Sequence, residues 1–338
     1  MKQLTLVEPG RIEWTDEPDP TLQGAGEALV RPLAVALCDL DASIASGEFP
    51  LQAPVALGHE FVAEVVDVGD GVEAARPGDR VVVPFQISCG ECTRCRRGQT
   101  GDCETVPRLS MYGFGPFGGD WGGALSDLVR VPYADAMLVG LPDGVDPATV
   151  ASASDNIPDA WRTVGPYLAR RPGAEVLIVA GGARSIALYA IDIALALGAA
   201  RVVYIDTDAE RLRVAAELGA ETLEGDPPHR TGPFPITVDA STTHEGLACA
   251  IRSVEPGGVC TSVAFLPEPE TALPLFEMYT NGIEFRTGRV MARPLIPELL
   301  ELTAAGTLHP DRVTSKVVAW DDAADAVPEP ETKLVITR

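Results

Sequence analysis

From Val176 onwards, short runs of β-branched residues alternate with longer stretches of helical periodicity. VLIVA (176–180) precedes an apolar helical pattern over about 184–197 that ends at Gly198, and VVYI (202–205) precedes another from Asp208 to Leu218 that ends at Gly219. ITVDAS (236–241) and VCTSVAF (259–265), joined by a helical stretch and a Pro256-Gly257-Gly258 turn, continue the rhythm. Strands separated by helices cannot pair as hairpins; they pair in parallel, with the crossover helices covering the sheet faces. The expected α/β architecture is therefore a doubly wound parallel sheet. Thr207 and Glu210 have the spacing of a capping box, which predicts that the second helix starts after Thr207.

The first part of the chain has a different texture. FVAEVVDVG (61–69) alternates and ends on glycine, RVVVPF (80–85) follows the turn Arg76-Pro77-Gly78-Asp79, and LVRVP (128–132) follows Trp121-Gly122-Gly123. Short β-branched runs between turn residues predict a mainly antiparallel β unit. Beyond about 285 a helix is expected near 297–305 and a closing strand at KLVIT (333–337), which most economically returns to the first unit. The expected division is a β-rich domain over 1–150 and 286–338, and a parallel-sheet domain over 151–285. A chain of 338 residues is long enough for two such cores.

Lys plus Arg number 26 against 49 Asp plus Glu, a net charge of −23. Nucleic acid and anionic membrane would both be repelled, so neither is an expected partner. The only lysines are Lys2, Lys316 and Lys333; with so much Ala, Gly, Pro and Arg, the composition reads as coding bias or salt adaptation rather than a binding device. The opening MKQLTLVEPGRIEW reaches Glu8 before an apolar core of signal-peptide length develops, and IALYAIDIALALGAA is broken by Asp192. A cytoplasmic protein without a membrane span is expected. In that compartment clustered cysteines read as metal ligands before disulfides.

Cys89, Cys92, Cys95 and Cys103 follow the spacing Cys-x2-Cys-x2-Cys-x7-Cys. Structural zinc takes four ligands in a tetrahedron and favours thiolates, and Gly90, Gly98 and Gly101 supply the turns such a loop needs. Four protein ligands close the site, so its expected role is structural; an iron–sulfur cluster is the weaker rival. Arg94, Arg96 and Arg97 read as solvated side chains that soften the thiolate charge. Cys249 and Cys260 lie in apolar runs and carry no expected chemistry.

Cys38 in AVALCDL and His59 in Gly58-His59-Glu60 would each be ordinary alone, a small buried thiol and a hydrogen-bonded imidazole. Beside the four-cysteine lobe they take on another meaning. The chain resembles the zinc-dependent medium-chain alcohol dehydrogenase superfamily (medium-chain dehydrogenase/reductase) in Cys38-x2-Asp41, Gly58-His59-Glu60 with Gly69, Pro77-Gly78-Asp79-Arg80-Val81, the lobe, Gly122-Gly123-Ala124, the nucleotide domain and Pro256-Gly257-Gly258. That resemblance implies a GroES-like, mainly β catalytic domain and a Rossmann domain. It also implies a catalytic zinc bound by Cys38, His59 and a third ligand, Asp155 in SASDNIPDAW, with one position open; a helix-capping Asp155 is the alternative. Asp41 matches the carboxylate that fixes the tautomer of the metal-bound histidine, and Glu60 the acid that approaches zinc when water exchanges. Two zinc ions per chain, NAD(H), a small-molecule substrate and a homo-oligomer (dimer or tetramer) are implied with them.

At the nucleotide end, VLIVAGGARSIALY stands where the family carries Gly-x-Gly-x-x-Gly. Ala180, Gly182 and Ser185 fill those three positions, so only the middle glycine survives, the one that lets backbone approach the pyrophosphate. Gly181, Gly182, Ala183, Arg184 and Ser185 form the implied phosphate turn. Asp206 ends the second strand, where a carboxylate accepts from the adenosine ribose hydroxyls and repels a 2′-phosphate, favouring NAD over NADP. Arg211 matches the basic residue beside that ribose, and Val263 the strand end whose backbone holds the nicotinamide amide.

Two departures touch mechanism. The family usually places Ser or Thr two residues after the ligand cysteine, to receive the alcohol proton; here the residue is Leu40, and Ser43 stands where relatives often have His. Asp39 puts a carboxylate where a basic or small residue usually meets the pyrophosphate. The leading expectation is hydride transfer between NAD(H) and an alcohol or carbonyl polarised by zinc. Leu40 keeps open reduction of C=N or activated C=C bonds, and Asp39 with the altered glycines keeps open a zinc- and NAD-binding protein without redox chemistry. The aromatic and thioether residues of MYGFGPFGGDW, with Trp161, read as either pocket lining or core.

Overall fold

The strand Ala28–Ala36 is apolar along nearly its whole length because both faces are covered; only Arg31 is exposed. It pairs antiparallel with Glu60–Val68, and on its other edge with Val129–Val131 near one end and Leu334–Thr337 near the other. Lys316–Ala319, Arg80–Val83 and Val139–Gly140 complete a seven-stranded sheet. Phe61, fully buried and set edge-on to Tyr112 at 5.6 Å, anchors the core of this sheet with Val35, Val83, Leu125 and Ile44. Burying one such ring is worth about 1.5–3 kcal/mol. A small antiparallel sheet of Arg11–Asp16, Lys2–Glu8 and Val55–Ala56 belongs to the same part of the chain.

In the computed structural model, which describes residues 1–49, 51–266, 268 and 270–338, the chain divides into two compact units. Met1–Pro158, Val290–Thr307 and Thr314–Arg338 form the first; Asp159–Arg289 and Leu308–Val313 form the second. The first unit closes on itself through Leu334–Thr337, although a long stretch of chain intervenes.

The second unit is a six-stranded, all-parallel sheet in the order Glu221–Glu224, Val202–Asp206, Val176–Val179, Phe234–Asp239, Val254–Ser262, Glu284–Arg286. The chain builds outward from Val176–Val179 on one side, then returns to build on the other. This is the doubly wound order, with its switch point between Val176–Val179 and Phe234–Asp239. Two local expectations are corrected. The helix Ala209–Leu218 is capped by Asp208, whose carboxylate accepts from Arg211 N–H at 2.9 Å, and not by Thr207. The cause lies just upstream: Asp206 accepts from the N–H groups of both Thr207 and Asp208, holding the turn for one more residue. Pro256-Gly257-Gly258 lies inside the strand Val254–Ser262 as an irregularity, with Phe234 opposite Val254 but Ile236 opposite Val259. Among the described residues no helix is long and apolar enough to cross a membrane. Asp192 is partnered, accepting from His309 N–H at 2.9 Å.

Candidate metal centre and nucleotide end

Sheet register assembles the first site. Ala36 lies opposite Glu60 on one neighbouring strand and Val335 on the other. Cys38 follows Ala36, His59 precedes Glu60 and Lys333 precedes Val335, so three strand ends deliver all four side chains to one end of the sheet. Cys38 also caps the helix Asp39–Ser46: its sulfur accepts from Leu40 N–H at 3.3 Å, and Asp41 accepts in return from Cys38 N–H at 2.8 Å. A helix start favours the thiolate form, because its N–H groups point at the sulfur.

His59 is 1% exposed and lies between two carboxylates, Nδ1 3.6 Å from Asp41 Oδ1 and Nε2 3.5 Å from Asp155 Oδ2. The segment Ala151–Ser154 is fixed to the sheet by Ser154, whose hydroxyl accepts from Phe61 N–H at 2.8 Å, and this places Asp155. Phe114 and Phe85 pack on the imidazole with ring centroids 5.2 and 5.9 Å away. Ligand atoms of Cys38, His59 and Glu60 all lie within 4.8 Å of one another.

The site has the electrostatics of a cation receptor. Burial, reinforced by Asp41, pushes the Cys38 thiol up to about 12. Burial also works against charge on His59, but Cys38, Asp41 and Asp155 outweigh it and raise its pKa well above the ordinary value. His59 Nδ1 and Asp41 Oδ1 are buried without a hydrogen-bond partner, the arrangement expected when a further positive charge organises the pair. Sulfur, imidazole and carboxylate are ordinary zinc donors. The residues present therefore fit a zinc ion, with Cys38, His59 and either Asp155 or Glu60 offering ligand atoms.

Glu60 has a partner that sequence reading missed. Lys333 is fully buried beside it and donates to both carboxylate oxygens at 3.2 Å and to Leu37 O at 2.8 Å. Burial pushes Glu60 up to about 7 against the opposing pull of Lys333. The available signal was a rare lysine opening the apolar run KLVIT, where a strand running into a core leaves no route to water.

In the lobe, the sulfurs of Cys89, Cys92, Cys95 and Cys103 lie within 4.8 Å of one another, and none of the four is in a disulfide. Backbone N–H groups point at the sulfurs: Cys92 N–H to Cys89, Cys95 N–H to Cys92, and Cys89 N–H to Cys103, each at 3.4 Å. Burial opposes ionisation of Cys89, but the Thr105 hydroxyl and the N–H groups of Cys92 and Glu91 bring it down to about 6. Four converging sulfurs already surrounded by donors suit a closed tetrathiolate metal site.

At the nucleotide end, Gly181 and Gly182 are required by close packing. A Cβ on Gly182 would meet the Thr242 hydroxyl at 2.0 Å, and one on Gly181 would meet Ser241 O at 2.4 Å. The N–H groups of Gly182 and Ala183 donate to Ser241 O and Ala240 O. The close approach these glycines allow is thus to the neighbouring Ser241–Thr242 turn. Arg184 and Ser185 open the helix Arg184–Ala196, whose cap Ala183 makes no side-chain hydrogen bond to it. Asp206 is buried at the end of its strand with Arg211 and Tyr204 against it, and Val263 follows the strand Val254–Ser262, donating to Asp239 O at 2.9 Å. Of the aromatic stretch, Met111, Tyr112 and Phe114 are core, Phe117 is half exposed, and Trp161 is buried in the second unit.

Residues 24–143 match the alcohol dehydrogenase GroES-like domain, and residues 185–305 match the zinc-binding dehydrogenase family. An alcohol dehydrogenase of Geobacillus stearothermophilus is 32% identical over 300 residues, 84% of this chain and 83% of the relative. Zinc-type alcohol dehydrogenase B of Aspergillus flavus is 27% identical over 316 residues, 89% of this chain and 72% of the relative. The solved structure of alcohol dehydrogenase TADH from Thermus sp. ATN1 is similar with a TM-score of 0.90 at 30% identity, over 100% of this chain and 99% of that one. With both domain families matched along one chain, and a whole-length likeness to named alcohol dehydrogenases, the protein belongs to the zinc-dependent medium-chain dehydrogenase/reductase superfamily of oxidoreductases.

Proposed function

We propose that the chain transfers hydride between NAD(H) and an alcohol or its carbonyl counterpart, with zinc held by Cys38, His59 and Asp155. The observation that carries this reading is His59, buried between Asp155 on its Nε2 side and Asp41 on its Nδ1 side, with the Cys38 thiol beside it. Zinc, when bound, supplies Lewis acidity toward a C–O group. A thiolate, a carboxylate and a neutral imidazole match the charge of a divalent cation. Asp41 is placed to accept the Nδ1 proton, which leaves Nε2 as the ligand nitrogen. Phe85 and Phe114 exclude water from the imidazole faces. Asp206, at the strand end in the second unit, supports a nicotinamide dinucleotide as the hydride carrier.

The test is turnover of a panel of alcohols and carbonyls with NAD(H), before and after zinc removal. Activity lost on stripping and restored by zinc is the expected result; full turnover by zinc-free protein would overturn the reading.

Leu40 favours a second reading within the same chemistry. It packs against the apolar core of the first unit and offers no oxygen to carry a proton, which suits reduction of C=N or activated C=C bonds. Replacing Leu40 with Ser is expected to raise alcohol turnover about tenfold, part of the 10²–10⁴ that a positioned acid or base contributes. An unchanged rate would point to the C=N or C=C substrates instead.

A further inference from the structure

Pro256-Gly257-Gly258 lies near the start of the strand Val254–Ser262, at the opposite end from Val263, where neither the metal centre nor the nucleotide end uses it. Phe234 faces Val254 and Ile236 faces Val259, so residues 255–258 loop out of the ladder as a bulge. Gly258 is required by packing, because a Cβ there would meet Val254 Cγ1 at 2.7 Å and Pro235 O at 2.8 Å. Gly257 is different: its φ is +72°, and nothing lies within 4 Å of where its Cβ would stand. A glycine bulge that looks onto open space lets a ligand come close to the backbone. Gly257 and Gly258 in fact line a cavity of about 140 Å³, together with Tyr167, Arg170, Arg171 and Glu284. Water takes about 30 Å³ per molecule, so the cavity has room for four or five waters or for one small oxyanion.

The charge around this cavity is opposite in sign to that of the chain. The helix Asn156–Leu168 ends in a turn in which Tyr167 O accepts from Arg170 N–H at 3.1 Å and Arg171 N–H at 2.9 Å, delivering two adjacent arginines to the cavity wall. Arg286, on the edge strand Glu284–Arg286, joins them: its Cζ lies 6.0 Å from the Tyr167 ring centroid, and that of Arg170 5.6 Å. Two carboxylates oppose these three cations. Arg171 donates to Glu255 at 3.1 Å and to Gly257 O at 2.6 Å, and Arg286 donates to Glu284. The four side chains of those pairs are 36–54% exposed, where an ion pair is weak. Arg170 has no carboxylate or hydrogen-bond partner among the described residues, and stacking on a ring holds a guanidinium without neutralising it. The net charge of −23 repels anions at long range, but screening over about 10 Å in 0.1 M salt leaves the local cations in control.

The geometry points to this cavity as a binding site for a phosphate oxyanion, gripped by Arg170 and by the remaining donors of Arg171. A guanidinium carries five N–H donors in a fork that matches phosphate. Arg171 uses only part of its fork on Glu255 and Gly257 O, which fixes it as a wall of the cavity. The site lies in the second unit alone and needs neither zinc nor a dinucleotide.

Calorimetric titration of the whole protein with inorganic phosphate, in a phosphate-free buffer at low salt, tests the site without turnover. Saturable binding with a Kd at or below about 1 mM is expected; no saturable binding by about ten times that concentration overturns the proposal. Arg170→Gln should weaken phosphate at least tenfold. Glu284→Gln takes a negative charge off the cavity wall and should tighten it several-fold. Opposite shifts from two exposed positions are not what general loss of structure produces, and failure of either shift overturns the site. Glycerol 3-phosphate titrated in parallel separates the two sources of this chemistry: tighter binding than inorganic phosphate assigns the site to a phosphomonoester, weaker binding to the free anion.

Discussion

On the zinc reading proposed above, replacing Cys38 with Ala is expected to cut turnover about a thousandfold and to lower the zinc content by one ion per chain. Lewis-acid stabilisation of a developing negative charge is worth several kcal/mol, and about 4 kcal/mol corresponds to three decades of rate. Cys38 bears this weight because the site has no second thiol: the other cysteines of the first unit belong to the lobe. Without it, His59 would keep its two carboxylate neighbours, and a cation would lose its softest ligand. The rate and the metal content should fall together. Cys249→Ala, buried in the second unit's core, should leave both unchanged and controls for general damage. Retention of more than a tenth of the rate by the Cys38 variant would remove zinc from the mechanism.

How much of this was legible in the sequence depends on whether the determining contact is local. The strands at Val176, Val202 and Val259 are read from runs of β-branched residues whose burial on both faces leaves a continuous apolar signature. The lobe is legible for the same reason, since its ligands lie within one loop. Cys38 and His59 were found through motif resemblance, and sheet register is what brings them together. The Asp208 cap was missed because the competing acceptor, Asp206, lies outside the helix pattern and takes the N–H that a Thr207 cap required to be arranged otherwise. Gly182 looked like a ligand contact, yet the atom that excludes a side chain there is the Thr242 hydroxyl, on a different strand's turn. Tyr204 sits in the strand pattern as one more apolar residue; only the structure shows its hydroxyl under Asp206. Lys333 is the extreme case, reaching a carbonyl 296 residues away in sequence.

That lysine carries the second large effect. At pH 8, Lys333→Met is expected to lower the unfolding free energy by about 3–5 kcal/mol, the range found when one member of a buried ion pair is removed. Both side chains are 0% exposed, so water cannot replace the lost partner, and Leu37 O loses its donor as well. The sign of the pH dependence follows from Glu60. Burial already raises its pKa to about 7, and removing Lys333 raises it further. A carboxyl group whose folded pKa lies above its unfolded one binds more protons when folded, so its contribution to stability declines as pH rises from the unfolded value through the folded one. The variant's deficit relative to wild type should therefore be smaller at pH 6, where the unsatisfied Leu37 O remains, and grow above pH 7, where wild-type Glu60 is charged and paired while the variant must either protonate it or bury the charge. Urea unfolding at pH 6 and pH 8 reads this directly. Adding Glu60→Gln to Lys333→Met should recover part of the loss at pH 8 and flatten the pH dependence, because a neutral amide replaces the stranded carboxylate. A deficit that is pH-independent, or unchanged in the double variant, would mean that Lys333 acts by filling space and that its charge does not hold Glu60.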